Sequence, residues 1–138
     1  MAKVLVTGSN GFIGSHIVPL LLSKGYEVHC VVRYTSDISF LRDLDVVIHV
    51  ADIREPSTLK IPVENAVYIF HLAAKLLVTN QKDFEDANVT GTRNMLEAAE
   101  LYAKNTLKRF LYVSSLAACG PNEKPIPYDE TTTLNPMS

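Results

Sequence analysis

Three of the six glycines stand near the start of the chain, at positions 8, 11 and 14 of the stretch TGSNGFIG. A strand that turns directly into a helix points unpaired N–H groups, and the positive end of the helix dipole, at one place. There Gly8 would allow the tight turn, Gly11 would leave room for a pyrophosphate, and Gly14 would let the helix pack on the strand. The spacing differs from the usual G-x-G-x-x-G pattern. The stretch predicts a nucleotide site, and a glycine-rich turn without a ligand is the alternative.

The residue after the second apolar run bears on which dinucleotide would bind. An NAD site usually has a carboxylate about 20 residues beyond the glycines, at the end of the second strand. This chain has Val32 and then Arg33 at that place. Because a guanidinium pairs bidentately with phosphate oxygens, Arg33 favours NADP, with its ribose 2′-phosphate, over NAD. A strand-end arginine that only faces water is the alternative.

Five short apolar runs must position these residues. They are rich in β-branched and aromatic side chains and almost continuously hydrophobic, which is typical of parallel strands covered on both faces. The predicted strands are 3–7, 26–32, 46–50, 67–72 and 109–115. With helices between them, they predict an α/β fold, a doubly wound parallel sheet of about five strands.

Two helices are predicted with definite ends or faces. The first spans 12–24 and stops at Gly25, a common residue after a helix. Pro19 lies inside it and predicts a kink without a break. The second spans 86–104 and has an apolar face.

Composition and charge exclude several classes of protein. A net charge of −2 gives no electrostatic reason to bind nucleic acid or an anionic membrane, and no apolar run reaches the roughly 18 residues of a membrane-spanning helix. The four histidines have no metal-ligand spacing, so no metal site is expected. Cys30 and Cys119 predict reduced thiols in a cytoplasmic protein.

Five motifs together resemble one known family. TGSNGFIG, ADI, FHLAA, NVTGT and YVSSLAACG occur in this order. They are similar to motifs of the extended short-chain dehydrogenase/reductases, the NAD(P)-dependent epimerase/dehydratase group, and VVR resembles its NADP-using, dihydroflavonol-reductase-like branch. The resemblance covers essentially the whole chain and implies a Rossmann-like fold.

The resemblance also implies roles for individual residues. Phe12 and Ile13 would present backbone amides to the pyrophosphate, and Asp52 and Ile53 would flank the adenine. The residues expected along the ribose and nicotinamide path, or beneath it, are Leu72, Ala73, Ala74 and Asn88. Loop capping by Asp52, core packing by the alanines and helix capping by Asn88 are the corresponding alternatives.

The catalytic part of the family pattern is present only in part. Counting back from Gly120 identifies Ser115 as the family's catalytic hydroxyl, which would donate to a substrate carbonyl or alkoxide. Cys119 stands where the family usually has tyrosine. The family's acid/base pair is a tyrosine with a lysine four residues later, but Tyr128 is followed by Thr132.

The resemblance therefore predicts the N-terminal, cofactor-binding portion of a longer enzyme. Residues 1–117 would form the dinucleotide-binding domain, and 118–138 a proline-rich tail leading to a catalytic helix and substrate domain that are absent. The whole enzyme would act on a sugar nucleotide or a small carbonyl compound, with self-association or a homodimer through the 86–104 helix. A free-standing NAD(P)-binding sensor or interaction module without catalysis is the alternative function.

Overall fold

A five-stranded sheet forms the centre of the structure, a computed structural model that describes residues 1–76, 80–122 and 127–137. Its strands are β1 (Lys3–Thr7), β2 (Glu27–Val32), β3 (Val47–Val50), β4 (Tyr68–His71) and β5 (Arg109–Tyr112). The order is β3-β2-β1-β4-β5, and every neighbouring pair is parallel. The predicted α/β class with a parallel, Rossmann-like sheet is confirmed.

Helices connect the strands and cover the sheet. The α-helices are α1 (Phe12–Ser23), α2 (Ser39–Arg42), α3 (Lys60–Val63), α4 (Gln81–Glu85) and α5 (Gly91–Tyr102), with 3-10 turns at Pro56–Thr58 and Leu116–Cys119. A π-helical turn, Asp86–Thr90, joins α4 to α5. The long crossover after β1 and the one after β4 thus each contain a helix of 12 residues.

The sheet has a buried apolar core on each face, because side chains alternate along a strand. From β1, Val4 and Val6 join Val18 and Leu21 of α1 on one face. Leu5 packs on the other face with a cluster that includes Met95, Ala98 and Ala99 of α5. Helices therefore lie on both sides of the sheet, as a doubly wound fold requires.

The two edge strands are less buried than their apolar sequences predict. Both end residues of β3 are exposed, and in β5 every residue except the half-buried Phe110 is exposed. The expectation that all five strands are covered on both faces is wrong for these two. An apolar run in the sequence shows that a strand is hydrophobic, whereas the burial of that strand depends on how many neighbouring elements the topology places against it.

The first predicted helix forms with almost the predicted ends. α1 ends at Ser23, and Gly25 follows with a φ of 77°, a left-handed conformation that glycine adopts without strain. The helix continues through Pro19 without a break. The kink at Pro19 stays a prediction.

The second long helix begins earlier than predicted and is not uniform. Helical structure starts at Gln81, because the Asn80 side chain accepts the amide of Asp83 at 2.8 Å and caps α4. The segment ends at Tyr102, two residues before the predicted end. The predicted span 86–104 is therefore wrong at its start, where the asparagine cap was missed.

The segment after β5 has no strand and, after the 3-10 turn, no helix within its described residues. Residues 123–126 and 138 of the predicted tail lie outside the described part of the chain. In the rest, Tyr128 donates to the carbonyl of Gly120 at 2.8 Å, and the amide of Asn135 donates to Ala118 at 2.9 Å. The domain boundary at 117 stays a prediction.

The outer side of the second helical segment carries exposed apolar side chains. Val89 and Leu96 are each 50% exposed, and Leu101 is 71% exposed. Self-association through this surface stays a prediction. None of the helices within residues 1–76, 80–122 and 127–137 combines the length and apolar character needed to cross a bilayer.

Gly14 and Gly25 provide a matched test of close packing. A Cβ at Gly14 would stand 2.4 Å from the carbonyl oxygen of Ser9, whereas nothing lies within 4 Å of one at Gly25. We expect Gly14→Ala to lower the free energy of unfolding by about 3 kcal/mol or more, since backbone must move. Gly25→Ala should cost about 1 kcal/mol through its positive φ.

Urea denaturation at neutral pH measures both variants. A Gly14→Ala protein as stable as the wild type would contradict the close packing, since alanine is otherwise the better residue inside a helix.

Candidate functional site

The described residues enclose a cavity of about 550 Å³ at the carboxyl ends of the strands. Its walls come from the segments after all five strands, which in parallel sheets meet at one edge. β1 and β4 are neighbours although two strands intervene between them in sequence, so the cavity includes the point where the strand order reverses. Ligands of open α/β sheets bind at this kind of position.

The glycine loop forms one wall of the cavity through Gly8, Gly11, Phe12 and Ile13. Gly8 has a φ of 67°, and a Cβ there would lie 2.8 Å from the amide nitrogen of Ala73. The loop ends at Gly11, the N-cap of α1, and the first amides of a helix have no partner inside it. Gly14 does not line the cavity, because it is buried against the loop behind it.

The segment after β2 provides a cation. Arg33 is exposed and lines the cavity together with Ser36. The backbone amide of Arg33 donates to the Ser36 hydroxyl at 3.1 Å, and the backbone amide of Ser36 donates to the carbonyl of Arg33 at 3.0 Å. These two bonds fix the turn. Within the described residues, the guanidinium of Arg33 forms no ion pair.

The segment after β3 contains a closely bound ion pair. The Arg54 guanidinium donates to both carboxylate oxygens of Asp52, at 2.6 Å for Nη2 to Oδ2 and 3.0 Å for Nε to Oδ1. These bonds hold the pKa of Asp52 below its usual range. The adjacent Ile53 is held from behind, because Asn94 donates to its carbonyl at 2.8 Å and Gly91 leaves room for its side chain.

The segment after β4 lines the cavity with Leu72, Ala73 and Ala74. It has no regular structure, and Asn88 holds its far end. The Asn88 side chain accepts the amide of Lys75 at 2.8 Å and donates to the carbonyl of Lys75 at 2.9 Å. Asn88 therefore does not line the cavity, and it does not cap a helix, since it lies inside the π-helical turn.

Ser115 lines the cavity from beyond β5. The predicted fifth strand is too long, because β5 ends at Tyr112 and only Val113 makes one more bond, to His71. Ser115 instead caps the 3-10 turn Leu116–Cys119, where its hydroxyl oxygen accepts the amide of Ala117 at 3.2 Å. The hydroxyl proton stays available for a bond into the cavity.

The structure brings together eleven of the predicted site residues and leaves Gly14 and Asn88 behind the wall. Sequence reasoning missed Asn10, Ser36, Arg54 and Lys75 as lining residues. A local signal existed for Arg54, since an arginine two residues from Asp52 can form a turn-like ion pair. The bracing of Ile53 by α5 crosses 41 residues of sequence and has no local signal.

Titratable groups outside this cavity form no metal centre in the described ranges, where no cluster of three or more His, Cys, Asp and Glu is arranged as ligands. Cys30 and Cys119 are free, and burial raises the pKa of the Cys30 thiol to about 11. His71 is fully buried beneath the cavity, and burial lowers its pKa to about 4.

The parallel sheet, the glycine loop at the start of α1 and the cavity at the reversal of strand order define a Rossmann-type dinucleotide-binding protein. The sequence profile of the NAD dependent epimerase/dehydratase family matches residues 4–138, and the chain belongs to that family. The family resemblance noted from the five motifs is confirmed.

Individual relatives agree with this assignment. Over 134 residues the chain is 34% identical to vestitone reductase of Medicago sativa, covering 88% of this chain and 40% of the relative. It is 30% identical over 125 residues to UDP-glucose 4-epimerase of Vibrio cholerae, and the match covers 86% of this chain and 36% of the relative. The structure is similar to that of UDP-glucose 4-epimerase from Thermus thermophilus in complex with NAD, with a TM-score of 0.82 and 26% sequence identity. The superposition covers 99% of this chain and 45% of the epimerase chain.

The chain is short beside these relatives. It spans between 33% and 45% of the length of curated relatives that it matches.

The buried His71 predicts a pH dependence of stability. Its pKa is about 4 in the folded state against 6.5 for a free histidine, so the unfolded state binds the proton more tightly. The contribution of neutral His71 to the free energy of unfolding is therefore fully present above pH 6.5 and is lost as the pH falls toward 4. It amounts to about 3 kcal/mol between pH 7 and pH 4.

Denaturant titrations at pH 7, 5.5 and 4.5 measure this dependence in the wild type and in His71→Gln. We expect a shallower fall in the free energy of unfolding for the variant. His49, whose pKa burial also lowers to about 4, adds a slope that both proteins retain. Equal slopes in the two proteins would show that His71 does not carry the effect.

Proposed function

We propose that the chain is the cofactor-binding part of an NADP-dependent epimerase/dehydratase or reductase that acts on a sugar nucleotide or a small carbonyl compound. The observation that carries this proposal is that one cavity gathers the first amides of α1, the Ser115 hydroxyl and Arg33, which has no ion pair within the described part of the chain. Family membership supports the NAD(P) chemistry. The similar proteins include a reductase and an epimerase, which supports both substrate classes.

The residues present fit a dinucleotide. A cavity of about 550 Å³ is within the range of cofactor sites. The pyrophosphate would accept hydrogen bonds from the backbone amides of Phe12 and Ile13 beside Gly11, because these amides and the dipole of α1 favour an anion. Gly14 contributes indirectly by seating α1 close to β1.

The two ends of the dinucleotide would lie on opposite loops. Asp52 and Ile53 would flank the adenine. Oδ1 of Asp52 accepts from both the backbone amide and Nε of Arg54, and Oδ2 accepts from Nη2 and shares the single Nε proton, so Oδ2 would be the acceptor for the exocyclic amine. Leu72, Ala73 and Ala74 would lie along the ribose and nicotinamide, where short side chains permit close approach. Asn88 would act from behind, through Lys75.

The charges around the β2 segment favour NADP over NAD. Arg54 is occupied by Asp52, whereas Arg33 has no ion pair among the described residues. The Ser36 oxygen accepts the amide of Arg33, so the Ser36 hydroxyl proton can donate to a phosphate oxygen. The NAD-type carboxylate is replaced by Val32, which is only 3% exposed. Arg33 and Ser36 are therefore suited to a 2′-phosphate.

Replacing Arg33 by alanine tests the choice of cofactor. We expect the wild type to bind NADP more tightly than NAD by about 10- to 100-fold, the value of charge-assisted bonds to one phosphate. Arg33→Ala should remove most of this preference and leave the affinity for NAD nearly unchanged. Isothermal titration calorimetry measures the four affinities at fixed salt concentration.

Arg42→Ala is the matched control, since Arg42 is exposed but lies outside the cavity. It should keep the wild-type preference. Equal affinities of the wild type for NADP and NAD would contradict the assignment.

Ser115 is the proposed catalytic residue. Its oxygen accepts the amide of Ala117, which directs its proton elsewhere, and donation to a substrate carbonyl or alkoxide would use that proton. A bound nicotinamide supplies hydride exchange. The acid/base function would need a further group, because none of the six tyrosines is followed by a lysine four positions later.

That last observation favours a second candidate function, a dinucleotide-binding sensor or interaction module without catalysis. Both candidates predict that the 138-residue chain binds the dinucleotide and does not catalyse hydride transfer by itself. We expect no change in nicotinamide absorbance with UDP-glucose or with a panel of small ketones and aldehydes. Ser115→Ala should bind the dinucleotide as tightly as the wild type.

Turnover by the chain alone would contradict the proposed incomplete catalytic set. If a tyrosine and lysine four residues apart follow Ser138 in the coding sequence, the enzyme is favoured over the module. Ser115→Ala in that longer protein should then lower turnover by about 100-fold or more. Unchanged turnover would mean that Ser115 only caps the 3-10 turn.

A further inference from the structure

A buried network of hydrogen bonds, which we call the His71 network, lies behind the β4 segment. His71 and Thr7 are fully buried, and the His71 Nδ1 lies 2.7 Å from the Thr7 hydroxyl. The amide of Ala73 donates to the same hydroxyl at 3.2 Å. On the other side of the ring, Nε2 lies 3.0 Å from the Thr92 hydroxyl, which donates to the carbonyl of Asn88 at 2.7 Å.

The donors and acceptors of this network allow one arrangement of protons. The Asn88 carbonyl only accepts, so it takes the Thr92 proton, and Thr92 must then accept from His71. Nε2 of the ring therefore carries a proton. The Ala73 amide only donates, so the Thr7 oxygen accepts from it and directs its own proton to the bare Nδ1 of His71. A neutral ring with the proton on Nε2 satisfies every member.

The network fixes a segment that has no regular structure of its own. Leu72 to Leu76 line the cavity as an irregular stretch, and the sheet ladder ends at Leu72, whose amide donates to the carbonyl of Thr7 at 3.2 Å. The later amides have no ladder to hold them. The network anchors the amide of Ala73, and Asn88 anchors Lys75 through two bonds. Thr92 bonds to the backbone of the same Asn88, so both anchors belong to one connected set.

We propose that His71, with Thr7 and Thr92, is a positioning residue that sets the backbone of Ala73 to Lys75 for the nicotinamide half of the dinucleotide. This inference rests on the proposed function, which assigns the nicotinamide to that segment. His71 itself does not line the cavity, so it acts only through the groups that it orients. The adenine and pyrophosphate contacts lie on other loops. Gly8 packs against Ala73, but the amides of Phe12 and Ile13 belong to α1, so these contacts should depend on His71 much less.

Thr92→Val tests the network, because valine keeps the shape of threonine and removes the hydroxyl. The probes are whichever of NADP and NAD the wild type binds more tightly, and the same molecule without its nicotinamide. We expect Thr92→Val to weaken the whole dinucleotide by about tenfold, the effect of one hydrogen bond, and the nicotinamide-free probe by less than about twofold.

Two further variants separate positioning from general stability. Thr92→Ser should restore the wild-type affinity, since it returns the hydroxyl. Thr106→Val is the matched control, because the Thr106 hydroxyl also donates to carbonyls, those of Ala66 and Ala103, but forms no bond with His71 or residues 72–76 in the described structure. It should leave both affinities unchanged.

Nitrogen-15 spectra of the His71 ring at pH 7 give a readout that needs no cofactor. We expect a protonated Nε2 and a bare Nδ1 in the wild type, and loss of that single form in Thr92→Val. A ring with its proton on Nδ1 would overturn the proposal. So would equal weakening of both probes, or of neither, although the proposed function would then stand.

If the wild type bound neither probe, the proposed function would fail together with the assignment of this segment to nicotinamide. The spectra would still report whether the proton arrangement of the network is correct.

Discussion

The contact between Gly8 and the backbone of Leu72 and Ala73 is the constraint on which the cavity depends. It brings the exit of β1 against the exit of β4, and a Cβ at Gly8 would stand 2.8 to 2.9 Å from that backbone. The left-handed φ of Gly8 lets the chain turn at once into the loop that starts α1. The amides of α1, the irregular β4 segment and the buried Thr7 hydroxyl meet at one edge because this approach is close.

The cations around the cavity differ in whether they already form an ion pair. Arg54 is bound by Asp52 and Lys75 by Asp83, whereas Arg33 has no ion pair with the rest of the described structure. The partner carboxylate largely neutralises the charge of a paired cation, whereas an unpaired cation can attract a further anion. The distinction concentrates the proposed selectivity for a phosphate on Arg33, although three cations line the same cavity.

Beneath the cavity, polar groups are buried in an otherwise apolar sheet. An unsatisfied buried donor or acceptor costs about 1–3 kcal/mol, so the fully buried Thr7 and His71, with the half-buried Thr92, are stable there only as a complete set. In the described residues, no buried side-chain nitrogen or oxygen is without a partner. The same requirement that stabilises the network also restricts it to one geometry, which is how a buried histidine can orient a segment that lines the cavity.

The sequence by itself determined the class of fold and most of the cavity wall. Glycines at positions 8, 11 and 14, apolar runs of strand length and Arg33 after the second run are local features, and their physical consequences are local as well. They predicted the parallel sheet and the phosphate loop. Gly25 marked the end of α1 for the same reason, since a positive φ is a property of one residue.

Only the tertiary structure decided which residues act together across the chain. The bonds of His71 to Thr7 and Thr92 span 64 and 21 residues, and that of Asn94 to Ile53 spans 41. No local pattern records such distances, so the sequence indicated only a helix cap or a structural asparagine for Asn88. Burial of β3 and β5 and the end of β5 at Tyr112 likewise depended on the neighbours of each strand. Side-chain type limits what a residue can bond to, and the partner is selected by the packing of strands and helices distant in sequence.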